Sequence, residues 1–343
     1  MRIALIVDSL KAKTGGPSVI LKETKKALER KRLNIKIISN DDLKNSIKRK
    51  SALKIISQSD ICHIYGGWNY FHIKIFLLAF NFKKKIIIHP LGYYEPWALN
   101  QKKIKKKIAW LFYQEKILLK SNLIHCASAL EKNNLLRLNK SFNIQVIPYG
   151  ISHDLIKNKI IHKKIKKKAI YFSRLHKKKG IENLIKCWDE IGNEDWILDI
   201  YGPVDNENYK KQLINMANNN GNINFYNPVY NKKKKIKIFD NYDLMILPSY
   251  SENFGMIILE SLARGLPVLT TVNTPWLSIK KENAGWVINS SYNHLNLVLK
   301  KIFLYSEKEF TIKSKNAIKL AKKFSWKNVS KIYINTYRKI LNE

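Results

Sequence analysis

Acidic residues are scarce in this chain. Its 343 residues hold 26 Asp and Glu against 63 Lys and Arg, a formal net charge of +37. Arginine is scarce as well: it occupies only positions 2, 30, 32, 49, 137, 174, 264 and 338, so the positive charge is almost all lysine. Cys62, Cys126 and Cys187 are odd in number and far apart, which excludes a disulfide framework or a zinc site and fits a reducing cytosol. No run of about 18 apolar residues occurs, so no membrane-crossing helix is expected. The opening "MRIALIVDSL" has no cleavage region and reads as a short buried strand rather than a signal peptide. There is no G-x-G-x-x-G fingerprint, no Asp-x-Asp pair and no cluster of His or Cys ligands, so neither a dinucleotide site nor a metal is expected.

What is present is a regular alternation. "RIALIV", "IKIIS", "ICHIY", "KKIIIHP", "LIHCAS" and "IQVIPYG" read as buried strands, with amphipathic helical stretches between most of them. The rhythm stops in the lysine-rich stretch 152–168 and restarts with "AIYFSRL", "WILDIYG", "NINFYNPV", "DLMILPS", "PVLTT" and "GWVIN". Such βαβ alternation predicts parallel sheets covered on both faces. The expectation is two doubly wound α/β domains, 1–151 and 169–323, joined by a linker at 152–168. A C-terminal helix, 324–343, either caps the second domain or crosses back to the first.

The charge is spread over both halves: residues 1–150 hold 29 basic and 9 acidic residues (+20), the rest 34 and 17 (+17). Nucleic acid, an anionic membrane or a phosphate-bearing substrate could exploit it. A chain rich in Lys, Ile and Asn is also what an AT-rich genome imposes, so the charge alone names no partner.

Three stretches carry chemistry. In "PSYSENFGMIILESLARGLPVLTT", Glu252 and Glu260 flank an Asn253-Phe254-Gly255 turn between a strand and a helix. A strand's carboxyl end beside a helix N-terminus is where open α/β sheets bind ligands, and the free N–H groups there suit a phosphate. Eight helical residues rise about 12 Å, roughly the span of two sugar rings joined by a pyrophosphate. Two carboxylates reading hydroxyls on either side of a phosphate cradle fit that pattern; an ordinary solvated helix position is the alternative for Glu260. In "YFSRLHKKKGIENLI", Arg174 and Lys179 sit on a loop after a strand, suited to a diphosphate, although "HKKK" also reads as one more solvated run. In "TGGPSVILKE", Gly15 and Gly16 allow close backbone approach to a ligand, a weak signal by itself.

Taken together, "FSRLHKKKG" and "SENFGMIILESLARGLPVLTT" resemble the donor site of retaining glycosyltransferases of the GT-B fold, specifically glycosyltransferase family four. The resemblance extends over nearly the whole chain: "TGGPS", "HPLGYYEPWALNQ", "VIPYGI", "TPW" and "FSW" each match a family motif, the second as found in builders of bacterial surface polysaccharide. It implies two Rossmann-like domains facing a cleft, the first on the acceptor side and the second binding a nucleotide diphosphate sugar. Arg174 and Lys179 would hold the pyrophosphate and Glu260 the ribose hydroxyls. Glu252 and the Asn253-Phe254-Gly255 backbone would meet the transferred sugar, with Glu252 acting in catalysis. Gly15 and Gly16 would close over the donor. No metal or other cofactor is implied, since the cations and helix end neutralise the leaving diphosphate.

The chain departs from the pattern in places. Where the family carries His or Arg after the fourth strand this chain has Leu91, and the nearest histidine, His89, is the candidate for a related catalytic part; Tyr149 replaces the usual Asn. His125 reads as a buried strand residue.

One helix, "LNQKKIKKKIAWLFYQ", sets Lys102, Lys103, Lys105, Lys106 and Lys107 beside Trp110. A basic helix with aromatics can lie on an anionic membrane or simply pack on the sheet. The reading is therefore a cytoplasmic glycosyltransferase, docked on the inner face of the membrane, moving a hexose to a lipid-linked saccharide in O-antigen, capsule or lipopolysaccharide synthesis. A nucleotide-sugar epimerase on the same architecture is the enzyme alternative. A basic nucleic-acid-binding protein is the other, and it lacks a docking motif and base-reading aromatics.

Overall fold

The computed structural model describes residues 1–10, 16–160, 164–217 and 221–343. The chain divides into two compact units, Met1–Gly150 with Trp326–Glu343, and Ile151–Ser325. The stretch read as a linker lies within the second unit, where the Lys157 amide donates to the Ala263 carbonyl at 2.8 Å.

Each of the twelve apolar runs is a parallel strand. In the first unit these are β1 (Arg2–Val7), β2 (Asn34–Ser39), β3 (Ile61–Tyr65), β4 (Lys85–His89), β5 (Leu123–Cys126) and β6 (Ile144–Val146), in the order β2-β1-β3-β4-β5-β6. The second holds β7 (Lys168–Phe172), β8 (Ile197–Tyr201), β9 (Ile223–Tyr226), β10 (Leu244–Leu247), β11 (Val268–Thr271) and β12 (Gly285–Ile288), in the order β12-β11-β10-β7-β8-β9. Both are doubly wound, Rossmann-like parallel sheets.

The unbroken apolar character of the strands follows from burial on two faces. Ile3, Leu5 and Val7 of β1 point into one layer, and Ala4 and Ile6 into the other. The Ala4–Ile6 layer is closed by Phe71, Ile75, Phe76 and Ala79 from the helix Tyr70–Asn81 and by Leu118 and Leu135. The opposite layer is closed by Leu21 and Leu28, and by Val329, Tyr333, Tyr337 and Ile340 from the C-terminal helix Trp326–Asn342. That helix is thus part of the first unit's core. Gly150 shows how tightly it is seated, because an added Cβ there would stand 2.4 Å from the Trp326 indole.

The first unit also buries three histidines that share a hydrogen-bonded chain. The Tyr337 hydroxyl meets His63 Nδ1 at 2.9 Å, and His63 Nε2 meets His125 Nδ1 at 3.1 Å. His125 Nε2 reaches the Ile147 carbonyl at 2.6 Å. His89 Nδ1 reaches the His125 carbonyl and its Nε2 the Tyr149 hydroxyl, both at 2.6 Å. Burial holds all three imidazoles below their ordinary pKa, His125 at about 4.

These groups take protons more readily in the unfolded chain than in the folded one. Stability is therefore complete above pH 6.5 and falls as the pH drops from there toward 4, by on the order of 3 kcal/mol from His125 alone. Urea unfolding of the first unit, followed at neutral pH and at mildly acidic pH, should show that loss. A flat profile would mean the imidazoles are not buried neutral.

Candidate active site

The second sheet changes winding direction between β10 and β7, which are neighbours there although far apart in sequence. Open α/β sheets bind ligands outside the carboxyl ends of strands at such a point. The loops leaving β7 and β10 are the two that carry Arg174, Lys179, Glu252 and Gly255.

Those loops interlock. The Tyr250 amide donates to the Lys178 carbonyl at 2.9 Å, and the Asn183 side-chain amide donates to the Tyr250 hydroxyl at 2.9 Å. Gly180 has φ +68°, and an added Cβ would lie 2.2 Å from the Pro248 carbonyl oxygen, so only glycine lets the backbones approach this closely. Across this contact the Lys179 ammonium bonds Glu252 Oε1, with side chains only 12% and 10% exposed. The Ser249 hydroxyl donates to the same oxygen at 2.9 Å. Burial pushes the Glu252 carboxyl up, but Lys179 and Ser249 outweigh it and hold the group below the ordinary carboxylate value. The carboxylate is ionised and fixed.

The turn that follows is anchored from beneath. The Phe254 ring is buried against Trp276 (5.3 Å between centroids) and Phe324 (6.0 Å), and the Trp276 indole N–H donates to the Phe254 carbonyl at 2.5 Å. Trp276 of "TPW" and Phe324 of "FSW" therefore support the Asn253–Gly255 turn. Gly255, at φ +77°, opens the helix Met256–Ala263, whose first N–H groups have no partner inside the helix. Phe254 itself faces the core, so its side chain is turned away from any ligand at this turn.

Glu260 lies further along that helix, and sequence reasoning missed its partner. Lys235 bonds Glu260 Oε2 at 2.5 Å, with both side chains under 20% exposed. Its ammonium also stands 5.9 Å from the Phe172 ring centroid. Together with Leu155, Ile236, Phe239 and Arg264 the pair lines a small pocket. Nothing distinguished Lys235 from its neighbours in the run "KKKK", since helix phase and the turn at Asn231 decide which lysine points inward.

Arg174 occupies the loop after β7 and is half exposed, with Nη1 3.3 Å from Asp205. Its carbonyl accepts from the Tyr171 hydroxyl at 2.9 Å, which sets the backbone and leaves the guanidinium on the surface. Exposed pairs of this kind contribute little, so an anion can compete for Arg174.

The first unit's expected residues fare differently. Gly15 lies outside the described residues, and Gly16 is the first residue of the helix Gly16–Glu29. His89 is fully buried and both its ring nitrogens are engaged, so the catalytic part suggested for it gives way to a structural one. Trp110 packs partly into the first unit's core, and Lys106 bonds the Ala98 carbonyl with its ammonium 5.7 Å from the Trp68 ring. Neither is a free surface contact. Lys102, Lys103, Lys105 and Lys107 are exposed. Among the described residues, no group of three or more His, Cys, Asp or Glu side chains is placed to hold a metal ion.

Removing one partner of a buried pair strands the other charge. Lys179→Met should destabilise the second unit by about 3 kcal/mol, and adding Glu252→Gln should restore a large part of it. Equal losses in the single and double variants, measured by urea unfolding, would show that the two side chains are not coupled.

Comparison with known proteins gives the family. A family model described as glycosyl transferases group 1 matches residues 152–324, a little over half of the chain. An uncharacterized glycosyltransferase of Methanocaldococcus jannaschii is 27% identical over 177 residues, half of this chain and 45% of the relative. The GtfA subunit of the UDP-N-acetylglucosamine–peptide N-acetylglucosaminyltransferase of Streptococcus pneumoniae is 25% identical over 182 residues, half of this chain and 35% of the relative. The match thus spans less than half the length of either. Among solved structures, sucrose-phosphate synthase of Thermosynechococcus elongatus superposes with a TM-score of 0.78 at 15% identity, covering 100% of both chains. HepE of Anabaena, solved with UDP and glucose, gives 0.77 at 15% identity over 99% of this chain and 100% of its own. At such identities these structures speak for the GT-B fold alone, whereas the family match falls on the segment that contains Arg174, Lys179, Glu252 and Glu260, and the chain belongs to the glycosyl transferases group 1.

Proposed function

We propose that the chain transfers a hexose from a nucleotide diphosphate sugar to a saccharide acceptor, with retention, as a member of glycosyltransferase family four. The observation that carries this reading is the Lys179–Glu252 pair, which joins a cation, an ionised carboxylate and the N-terminus of the helix Met256–Ala263 at the switch point of the second sheet. A diphosphate needs positive charge and N–H donors; a sugar beside it needs hydroxyl acceptors.

In this reading Arg174, Lys179 and the helix N–H groups bind the diphosphate, and Glu260 takes the ribose hydroxyls, its second oxygen held by Lys235. The anomeric C–O bond to the diphosphate breaks as the acceptor hydroxyl oxygen bonds the same carbon, and the acceptor proton passes to the departing diphosphate. The growing negative charge meets cations already in place, so no divalent metal is required. The Streptococcus relative is named for UDP-N-acetylglucosamine and HepE was solved with UDP and glucose, which makes a uridine diphosphate sugar the first donor to test. The acceptor is a lipid-linked saccharide met at the cytoplasmic face of the membrane, in the building of a surface glycan.

A panel of nucleotide sugars, read by release of the diphosphate, should identify one donor, and release should persist in a chelator. Release that vanishes with chelator and returns with magnesium or manganese would refute the metal-free reading. Arg174→Ala should weaken nucleotide diphosphate binding at least about tenfold, the loss of one charged hydrogen bond. Unchanged affinity by calorimetry in a folded variant would remove Arg174 from the site.

A further inference from the structure

The first unit exposes an unusual amount of apolar surface in one place. In the run Lys103–Lys120, Ile104, Ile108, Leu111 and Phe112 recur at helical spacing and all point outward, Ile104 and Phe112 being 77% and 73% exposed. The inward side of the same run is satisfied separately, by Trp110, Ile117 and Leu118 packed on the sheet. The neighbouring helix Tyr70–Asn81 adds Leu77 and Phe80, also exposed. The two are in contact, since the Lys120 ammonium lies 5.6 Å from the Phe80 ring centroid. Scattered exposed apolar side chains need no explanation, but a contiguous face of them marks an interaction surface.

The charge around this face identifies what covers it. Lys103, Lys105 and Lys107 alternate with the apolar stripe and are exposed, as are Lys116 and Lys120. Between residues 61 and 120 the sequence has only two acids; Glu95 is buried and Glu115 is half-buried, accepting from the Asn139 side chain at 2.9 Å. Among the described residues, no fully exposed carboxylate lies between residues 61 and 120. A second copy of this chain would set lysines against lysines. An apolar stripe bordered by lysines instead matches an interface with acyl chains in the middle and anionic headgroups at the rim.

We infer that this face docks on an anionic lipid bilayer, with Ile104, Ile108, Leu111 and Phe112 entering the acyl boundary and the flanking lysines meeting the headgroups. Trp110 and Lys106 take no part, being turned toward the protein. The inference concerns where the first unit sits, and it stands or falls independently of the donor chemistry in the second.

Sedimentation with phosphatidylcholine vesicles, with and without phosphatidylglycerol, tests it on the full chain. The wild type should bind the anionic vesicles and release them as salt rises. Leu111→Gln with Phe112→Gln, both at exposed positions, should lower binding at least about tenfold with the melting temperature unchanged. Leu304→Gln, at an exposed position in the second unit, should leave binding intact. Binding that is equal on neutral and anionic vesicles, or equal in the double variant and the wild type, would overturn the inference. So would a wild-type dimer that the double variant dissolves in the absence of vesicle binding, which would make the face a contact between copies.

Discussion

A carboxylate with nine-tenths of its surface removed from water stays ionised only if a cation is held beside it, and Lys179 does this for Glu252. The two residues come from loops far apart in sequence, so the pair forms only once β7 and β10 lie side by side. Gly180 is what lets the loops close, because any side chain there would strike the Pro248 carbonyl. With the pair in place the Asn253–Gly255 turn is anchored by Phe254 below and opens a helix above. The cation, the carboxylate and the helix N–H groups then have fixed positions before any ligand arrives, and in the proposed reaction that preorganisation is what stabilises the leaving diphosphate.

The second carboxylate follows the same rule with different parts. Glu260 sits on a largely buried helix, and Lys235 supplies its counter-charge from the segment preceding β10. Each acid that the family pattern singles out thus carries its own lysine. In a chain with so few acids and so many lysines, the particular lysine at each acid is set by geometry.

The positive charge divides the same way. Most of it is surface lysine, in keeping with compositional bias. Two lysines are drawn into the second unit as counter-ions. Others border the exposed apolar stripe of the first unit, the face proposed to meet a bilayer. A basic composition reports little until the structure shows which lysines lie beside apolar surface and which beside buried acids.

The strands were legible in sequence because burial on both faces demands unbroken apolar runs, and all twelve such runs are strands. The donor-side motifs were legible because Gly180, Gly255 and the paired glutamates are residue types that few other positions would require. The partners were not. Lys235 is one of four identical neighbours, and only the packing of its helix decides which one turns inward. His89 had the residue type of a catalytic base, but the fold buries it between His125 and Tyr149 and engages both its nitrogens. Trp110 and Lys106 had the composition of a membrane contact, yet the core draws in Trp110, the Ala98 carbonyl and Trp68 ring hold Lys106, and Ile104, Ile108, Leu111 and Phe112 are left outside. Sequence by itself determined the local periodicity and the backbone positions that admit only glycine, since both arise from short-range sterics and burial. Which charges pair, which histidines lose their nitrogens to neighbours and which face of a helix stays bare were decided by the tertiary structure, because each depends on a surface supplied by residues distant in the chain.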